Sequence, residues 1–381
     1  MTESVKIRLF RLLEQNIDTY ISGAVLAREL SVSRNAIWKA VESLREEGYD
    51  ISAISNKGYR LNFCSDGAAG ADVFSQTGIA ARIETTGIFR VELRKTVTST
   101  NTVLREMAAK GAPEAKGAPE AKGAQEAKGA QEAKGAPEAK GAPEAKGAPE
   151  AKCEPEAKGA PEGLVLVAEE QTAGKGRRGR SFHSPADCGV YFSVLLRPNF
   201  NASETKLITS AAAVAVAQAI EKVFGVYVGI KWVNDLFVDG KKVCGILTEA
   251  TFGIESGIVE SIVLGIGINV VRPAYGFPGT LNDVATALAE NTENIDNQRC
   301  RLIAATLDNF WTYYLNLAER EFLEEYRKRS IILGDDIFVI SGDEITPAKA
   351  LGIDNECRLI VRYEDGNTAV LSSGEVSIRQ V

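Results

Sequence analysis

Lys175, Arg177, Arg178 and Arg180, interleaved with Gly174, Gly176 and Gly179, put four cations and three glycines into the stretch Glu170 to Phe182, just after the apolar run Leu164 to Ala168. Glycines let backbone amides approach a ligand closely and the cations surround it with positive charge, so the stretch is suited to holding an anion. The same glycines satisfy the dinucleotide spacing G-x-G-x-x-G, which requires a helix running on past the last glycine. Arg180-Ser-Phe-His-Ser-Pro185 follows instead, and a proline there would fall inside that helix. The nicotinamide reading is therefore set aside and the anion-binding one kept.

A second group lies in Lys231 to Leu247, KWVNDLFVDGKKVCGIL, where Asp239-Gly240 between two β-rich runs predicts a two-residue hairpin turn. With that turn, Val238 opposes Lys241 and Phe237 opposes Lys242, and Asp235 shares the face of Phe237 and Lys242. A carboxylate and an ammonium then sit diagonally on one surface. The alternative is an ordinary exposed ion pair, contributing under about 1 kcal/mol. A third run, Gly265-Ile-Gly-Ile-Asn269, puts Gly265, Gly267 and Asn269 on one strand face and the isoleucines on the other. A glycine face leaves room for a flat ligand; close helix packing is the competing explanation. Together the three groups suit the joining of two anions, which needs fixed positive charge and a magnesium-binding carboxylate to bring a carboxylate up to a nucleotide phosphate.

Those residues need a scaffold. From Gly163 onward, apolar runs at 164–168 and 189–196 and strands near 228–238, 242–250 and 258–270 alternate with helices at about 204–224, 280–290 and 296–330. The pattern predicts a mixed α/β domain with a largely antiparallel centre. Short strands at 337–340, 358–363 and 368–372 predict a small C-terminal β-barrel-like domain.

At the other end, Val5, Leu9, Leu12 and Leu13 form one helical stripe, Leu26 and Leu30 a second, and Ile37, Val41 and Leu44 a third. Ser33 caps the third helix, Gly48 ends it, and Ile51 to Leu61 reads as a hairpin turning at Asn56, Lys57 and Gly58. Three helices and a wing make a winged helix-turn-helix. Its motif, Ser22 to Val41, offers Ser22, Ser33, Arg34, Asn35, Trp38 and Lys39 for base edges and phosphates in a major groove. A small packing domain with a solvated polar face is the other reading. Residues 1–63 hold nine basic and eight acidic side chains, so useful affinity calls for a dimer.

Between the two parts, residues 110–163 are nine hexads of the form K-G-A-[PQ]-E-[AG], one of them degenerate at Lys152 to Ala157. Each regular unit has one Lys and one Glu, the degenerate one a second Glu, and none has a large apolar side chain, so disorder is expected and a solenoid is not. Expansion of one short surface loop accounts for them. The organisation expected is a winged helix over 1–63, a linker over 64–90, a catalytic domain over 91–330 containing the insert, and a C-terminal domain over 331–381.

A net charge of −7 argues against nonspecific coating of nucleic acid, and His183 as the only histidine disfavours a histidine-based hydrolase or a multi-histidine metal site. Six scattered cysteines without a C-x-x-C pair suggest neither disulfides nor zinc. With no run of eighteen apolar residues and no signal segment, a cytoplasmic protein without membrane contact is expected.

Ser99-Thr100-Asn101, GKGRRGR, KWVND, KKVCGIL and GIGIN, in that order, resemble the biotin protein ligases, and the preceding winged helix resembles the bifunctional group that also acts as biotin operon repressor. The resemblance spans the chain outside the repeats. It implies an α+β protein with a winged helix, a ligase domain and a C-terminal SH3-like barrel. It also implies that ATP activates biotin to biotinyl-5′-AMP, with Mg²⁺, followed by transfer to a lysine of biotin carboxyl carrier protein. Operator DNA and a ligand-promoted homodimer are the further partners implied.

By motif match, Ser99, Thr100, Asn101, Gln171, Lys175, Gly176, Arg177 and Lys242 fall on biotin and adenylate positions, with Gly174 and Gly245 beside them. Lys242 is expected to stabilise the meeting charges, Asp235 to be the magnesium-linked carboxylate, and Lys231, Asn234 and Asn269 to shape the nucleotide side. Arg177, Arg178 and Arg180 are expected to order the loop over the adenylate. A ligand-sensing regulator without turnover and a lipoate or octanoate ligase relative are the alternatives. Lys175, Val233 and Phe182 stand where the family usually has Arg, Pro and Trp. Lysine loses bidentate phosphate geometry, so adenylate affinity is the property most affected.

Overall fold

The computed structural model describes residues 3–62, 73–110, 160–198, 204–253, 259–289, 295–341, 344–372 and 375–378. The N-terminal unit holds helices α1 (Val5–Glu14), α2 (Gly23–Glu29) and α3 (Arg34–Glu46) and the hairpin β1 (Ile51–Ile54) and β2 (Gly58–Leu61). Each helix begins on a serine: Ser4, Ser22 and Ser33 accept from Ile7, Val25 and Ala36 N–H groups that lack a helical partner. The stripes close on one small core of Leu9, Phe10, Leu13, Leu26, Ile37, Val41 and Leu44, with Leu12 and Val5 only partly covered. Gly48, at φ +100°, ends α3 in a conformation that costs glycine little.

The expected linker over 64–90 differs from the structure in its second part. Residues 73–90 are ordered around α4 (Gln76–Ala80), which Ser75 caps. Phe74, Ile79 and Ile83 enter the central core while Ala81 enters the N-terminal one. Tyr49 Oη and Ser75 Oγ meet at 2.9 Å, Thr77 Oγ1 donates to Glu47 at 2.9 Å, Arg11 donates to the Ala81 carbonyl at 2.6 Å, and Arg82 pairs with Glu14. Sequence periodicity alone misses the segment because it is too short to show a stripe.

The central sheet has seven strands in the order β3-β4-β5-β9-β8-β7-β6: β3 (Arg90–Val97), β4 (Leu164–Gln171), β5 (Gly189–Leu196), β6 (Gly229–Lys231), β7 (Asp235–Val238), β8 (Lys241–Phe252) and β9 (Val259–Asn269). Only β3 and β4 run parallel. Helices α6 (Thr205–Phe224) and α8 (Ile295–Leu315) cover one face, and α5 (Thr100–Lys110) the other. Both faces being covered explains why β5 is apolar without alternation and buried throughout. Helix α6 is long and apolar enough to cross a membrane, but that composition serves a helix sandwiched between the sheet and α8.

Three expectations are corrected here. The run 228–238 is two antiparallel strands, β6 and β7, reversing through Trp232 to Asn234. The turn is pinned from outside: Trp232 Nε1 donates to the Cys357 carbonyl at 2.9 Å and Tyr326 Oη to the Val233 carbonyl at 2.9 Å. The helix expected over 280–290 shrinks to α7 (Leu281–Val284), and that over 296–330 breaks after α8, resuming as α9 (Leu323–Arg329). The C-terminal part is a five-stranded antiparallel sheet, β13-β12-β11-β10-β14, from β10 (Asp336–Ser341), β11 (Glu344–Ile353), β12 (Leu359–Tyr363), β13 (Thr368–Leu371) and β14 (Glu375–Ile378).

Repeats 111–159 lie outside the described residues. Their flanks do not: the Arg197 guanidinium donates to the Ala108 carbonyl at 3.4 Å and to the Ala160 carbonyl at 2.8 Å, so one side chain ties both ends of the insert together.

Candidate active site

The site lies on the α5 face of the sheet, where hydrogen-bonded neighbours form rows. Tyr191, Gly267, Gly245 and Asp235 follow one another across β5, β9, β8 and β7. Ser193, Gly265 and Leu247 form the adjacent row. The three glycines, Gly245, Gly265 and Gly267, leave a trough between larger side chains.

The hairpin register is as the sequence predicts: Val238 faces Lys241 and Phe237 faces Lys242 across Asp239 and Gly240, both at positive φ. A bulge beyond Phe237 then sets Asp235 opposite Gly245, and Lys242 Nζ reaches Asp235 Oδ1 at 2.8 Å. Each side chain is about a third exposed, so the pair adds little to stability. Its value is positional, holding an ammonium at the mouth of the trough.

The anion loop returns on itself. Gln171 bridges Ser184 and Lys175 bridges Ser181; Phe182 N–H donates to the Gly174 carbonyl at 2.9 Å and Gly176 N–H to the Arg180 carbonyl at 2.7 Å. Gly174 is required because a Cβ there would collide with the Phe182 carbonyl. Arg178 and Gly179 turn the tip at positive φ. The loop docks through Arg177 Nη1, which donates to Asn234 Oδ1 at 2.9 Å, while Asn234 Nδ2 donates to the Ile246 carbonyl at 2.9 Å.

The trough is not an open slot. The Phe182 ring lies over it, so a Cβ at Gly267 would stand 2.6 Å from the ring, and the Asn101 amide fills the space above Gly265. The ring also meets Tyr191 edge-on at 6.4 Å between centroids. The room that the glycines provide is shared between protein side chains and a cavity beside them.

Two adjoining cavities result. The first is lined by Ser99, Thr100, Asn101 and Gln171 on one side and by Lys175, Gly176, Arg177, Asn234, Lys242 and Gly245 on the other. The second is lined by Gly176, Arg177, Arg178, Arg180, Lys231, Asn234, Asp235 and Lys242, with Val376 contributed by the C-terminal sheet. Arg177, Asn234 and Lys242 stand where they meet. Lys231 Nζ sits 5.5 Å from the Phe237 ring centroid. Gly174 and Asn269 line neither cavity: Gly174 packs under Phe182, and Asn269 Nδ2 donates to the Thr286 carbonyl at 3.1 Å.

Sequence reasoning missed Ser184, Ser193 and Glu249, which reach the site only through folding. Gln171 Nε2 donates to Ser184 Oγ at 2.9 Å, and Asn101 Nδ2 to Glu249 at 2.8 Å. Cys244, next to the trough, is buried, and desolvation pushes its thiol far above the ordinary range, which makes it inert. No cluster of three metal-ligating side chains occurs among the described residues.

On the N-terminal unit, Arg34, Asn35, Lys39 and Trp38, the last 51% exposed, lie together on the outer face of α3. Ser22 and Ser33 are nearby, their hydroxyls engaged in capping α2 and α3.

Residues 155–269 match the biotin/lipoate A/B protein ligase family, residues 6–60 an HTH domain, and residues 332–379 the biotin protein ligase C terminal domain. Across 377 residues the chain is 30% identical to the bifunctional ligase/repressor BirA of Bacillus subtilis (strain 168), covering 98% of each. To the protein of that name in Escherichia coli (strain K12) it is 29% identical, over 57% of this chain and 67% of that one. In fold it is similar to the biotin protein ligase from Aquifex aeolicus in complex with biotin and ATP, at a TM-score of 0.51 and 22% identity, over 77% of this chain and 99% of that one. With a full-length relative at that identity, the chain belongs to the family of bifunctional biotin ligase/repressors.

Proposed function

We propose that this chain activates biotin with ATP to biotinyl-5′-AMP, transfers the biotinyl group to a lysine of a biotin carboxyl carrier protein, and represses transcription through its winged helix. Ligation and repression are the functions of its full-length relatives. The observation that carries the residue assignments is the juncture of two cavities at Lys242, Asn234 and Arg177, with Asp235 held against Lys242. One cavity has a wall of neutral hydrogen-bonding groups, Ser99, Thr100, Asn101 and Gln171, facing Lys175, Arg177 and Lys242, and the other is ringed by cations. That division suits an uncharged ring system on one side and a phosphate on the other.

In the first step a biotin carboxylate oxygen bonds to the α-phosphorus of ATP, and the bond to the β-phosphate bridging oxygen breaks, releasing pyrophosphate. Two anions must meet, and Lys242 at the juncture offsets their repulsion. Asp235 fixes the direction of that ammonium. As the only carboxylate among the described residues that line the second cavity, Asp235 also suits a magnesium ion arriving on the nucleotide, since Mg²⁺ binds through one or two carboxylates together with substrate phosphates. The ion supplies charge neutralisation on the phosphates. In the second step the carrier lysine amine attacks the acyl carbon and AMP leaves. Arg177, Arg178 and Arg180 keep the mixed anhydride from water until then.

The five-stranded C-terminal sheet is read as an SH3-like barrel, a reading supported by its meander of short strands and by the match over 332–379. A ligand-promoted homodimer belongs to the proposal because one winged helix with balanced charge gains little affinity alone. The sensor without turnover is not favoured, since the full-length relatives bear the name ligase.

The test is incubation with biotin, ATP, magnesium and a carrier domain, reading biotin on the carrier. Wild type should label it, and Lys242→Ala should slow labelling about 10²–10³-fold. An unlabelled carrier with wild type overturns the ligase assignment, and a fully active Lys242→Ala overturns the role of Lys242.

A further inference from the structure

A fully buried hydroxyl behind the first cavity, Ser193 on β5, joins the two residues that form its wall: its oxygen is 2.6 Å from Asn101 Oδ1 and 2.7 Å from Thr100 Oγ1. Which oxygen carries which proton follows from the ends of the network. At one end Asn101 Nδ2 donates to the Glu249 carboxylate at 2.8 Å and to the Leu247 carbonyl at 3.3 Å, both pure acceptors. The amide orientation is thereby fixed, with Oδ1 toward Ser193. An amide oxygen only accepts, so the Ser193 proton belongs to it.

At the other end Ser184 donates to the Phe182 carbonyl at 3.0 Å and accepts from Gln171 Nε2 at 2.9 Å. Gln171 Oε1 is thus turned to Thr100, whose backbone N–H meets it at 2.8 Å. Thr100 Oγ1 is also 3.2 Å from Gln171 Oε1, but its one proton cannot serve both neighbours. Ser193 has already given its own, so the Thr100 proton goes to Ser193 Oγ. Reversing the order would leave Ser193 and Asn101 as two acceptors facing each other at 2.6 Å.

We propose that Ser193 and Glu249 are positioning residues that set the polarity of this wall, holding Thr100 Oγ1 as a hydrogen-bond acceptor so that the cavity selects a ring presenting an N–H there. The inference rests on the biotin reading, whose ureido ring carries such groups. Asn101, with its amide engaged by Glu249, Leu247 and Ser193, acts as the strut between Glu249 and Ser193.

The probes are biotin and its analogues in which one or the other ureido N–H is replaced by a ring oxygen. Wild type should bind biotin at least about a hundredfold more tightly than one of the analogues, because a buried acceptor would otherwise face an acceptor. Ser193→Ala leaves the Thr100 proton shared between the ligand and Gln171 Oε1, the latter at a longer 3.2 Å, and the ratio should fall below about tenfold. Biotin KM should rise, while kcat at saturating biotin and the KM for ATP stay within about twofold, as expected for a residue outside the reacting groups. Glu249→Ala, which releases Asn101, should lower the same ratio and serves if Ser193→Ala does not fold. A folded variant of either kind that keeps the wild-type ratio overturns the inference. Wild type that binds no biotin overturns the underlying reading instead.

Discussion

The first cavity has two unlike walls. Ser99, Thr100 and Asn101 at the start of α5 are at most 4% exposed and tied into a buried network. Across from them stand Lys175, which is exposed, and Arg177, on a loop shaped by glycines and closed on itself by backbone bonds. Buried polar groups are costly unless every proton has a place, so the inner wall has one arrangement and rejects ligands that do not match it. Cations on a loop attract a charged ligand through a field that demands less of its geometry than a buried hydrogen-bond network does. We assign selection to the inner wall and retention to the outer one.

The largest test of that contrast is Gly265→Ala. A methyl there collides with the Asn101 amide, which is braced on three sides and cannot yield. Overpacking of this kind costs about 1–3 kcal/mol, and calorimetry should show a lower melting temperature together with biotin affinity weakened about a hundredfold. Unchanged biotin affinity would show that the inner wall is adaptable after all.

Arg177→Ala acts on the other wall and should be milder. It removes the bond to Asn234 and one cation, raising the KM for ATP and the leakage of adenylate about tenfold while biotin affinity and melting temperature hold. Equal damage to biotin binding, seen by calorimetric titration, would erase the distinction between the walls. The smallest effect is expected from trimming residues 110–163 to one hexad. Loop closure costs only about 0.6 kcal/mol per doubling of length, so the rate of carrier labelling should not change. Loss of adenylate formation in that variant would make the repeats part of the site.

The two walls were unequally legible in the sequence. The outer one is a single segment, and Asp239-Gly240 specifies the hairpin that carries Asp235 and Lys242, so local chemistry was enough to foresee the 2.8 Å pair. The face assigned to Gly265, Gly267 and Asn269 also follows from strand alternation alone. The inner wall depends on Ser193 and Glu249, which lie 92 and 148 residues from Asn101 and have ordinary identities. No local pattern marks them. The split between β6 and β7 escaped notice for a similar reason, since Cys357 and Tyr326 hold the turn from far along the chain. That Phe182 covers the glycines follows from the loop's return path, which short-range signals do not encode.

One guanidinium also bears on how the gene can change. Because Arg197 holds the carbonyls of Ala108 and Ala160 together, the distance the intervening chain must span is the same whatever its length. The protein sequence there repeats every six residues, so gain or loss of a whole unit keeps the reading frame. Changes in copy number are then expected to leave the site undisturbed, and the region is a candidate place to splice foreign peptides into the enzyme.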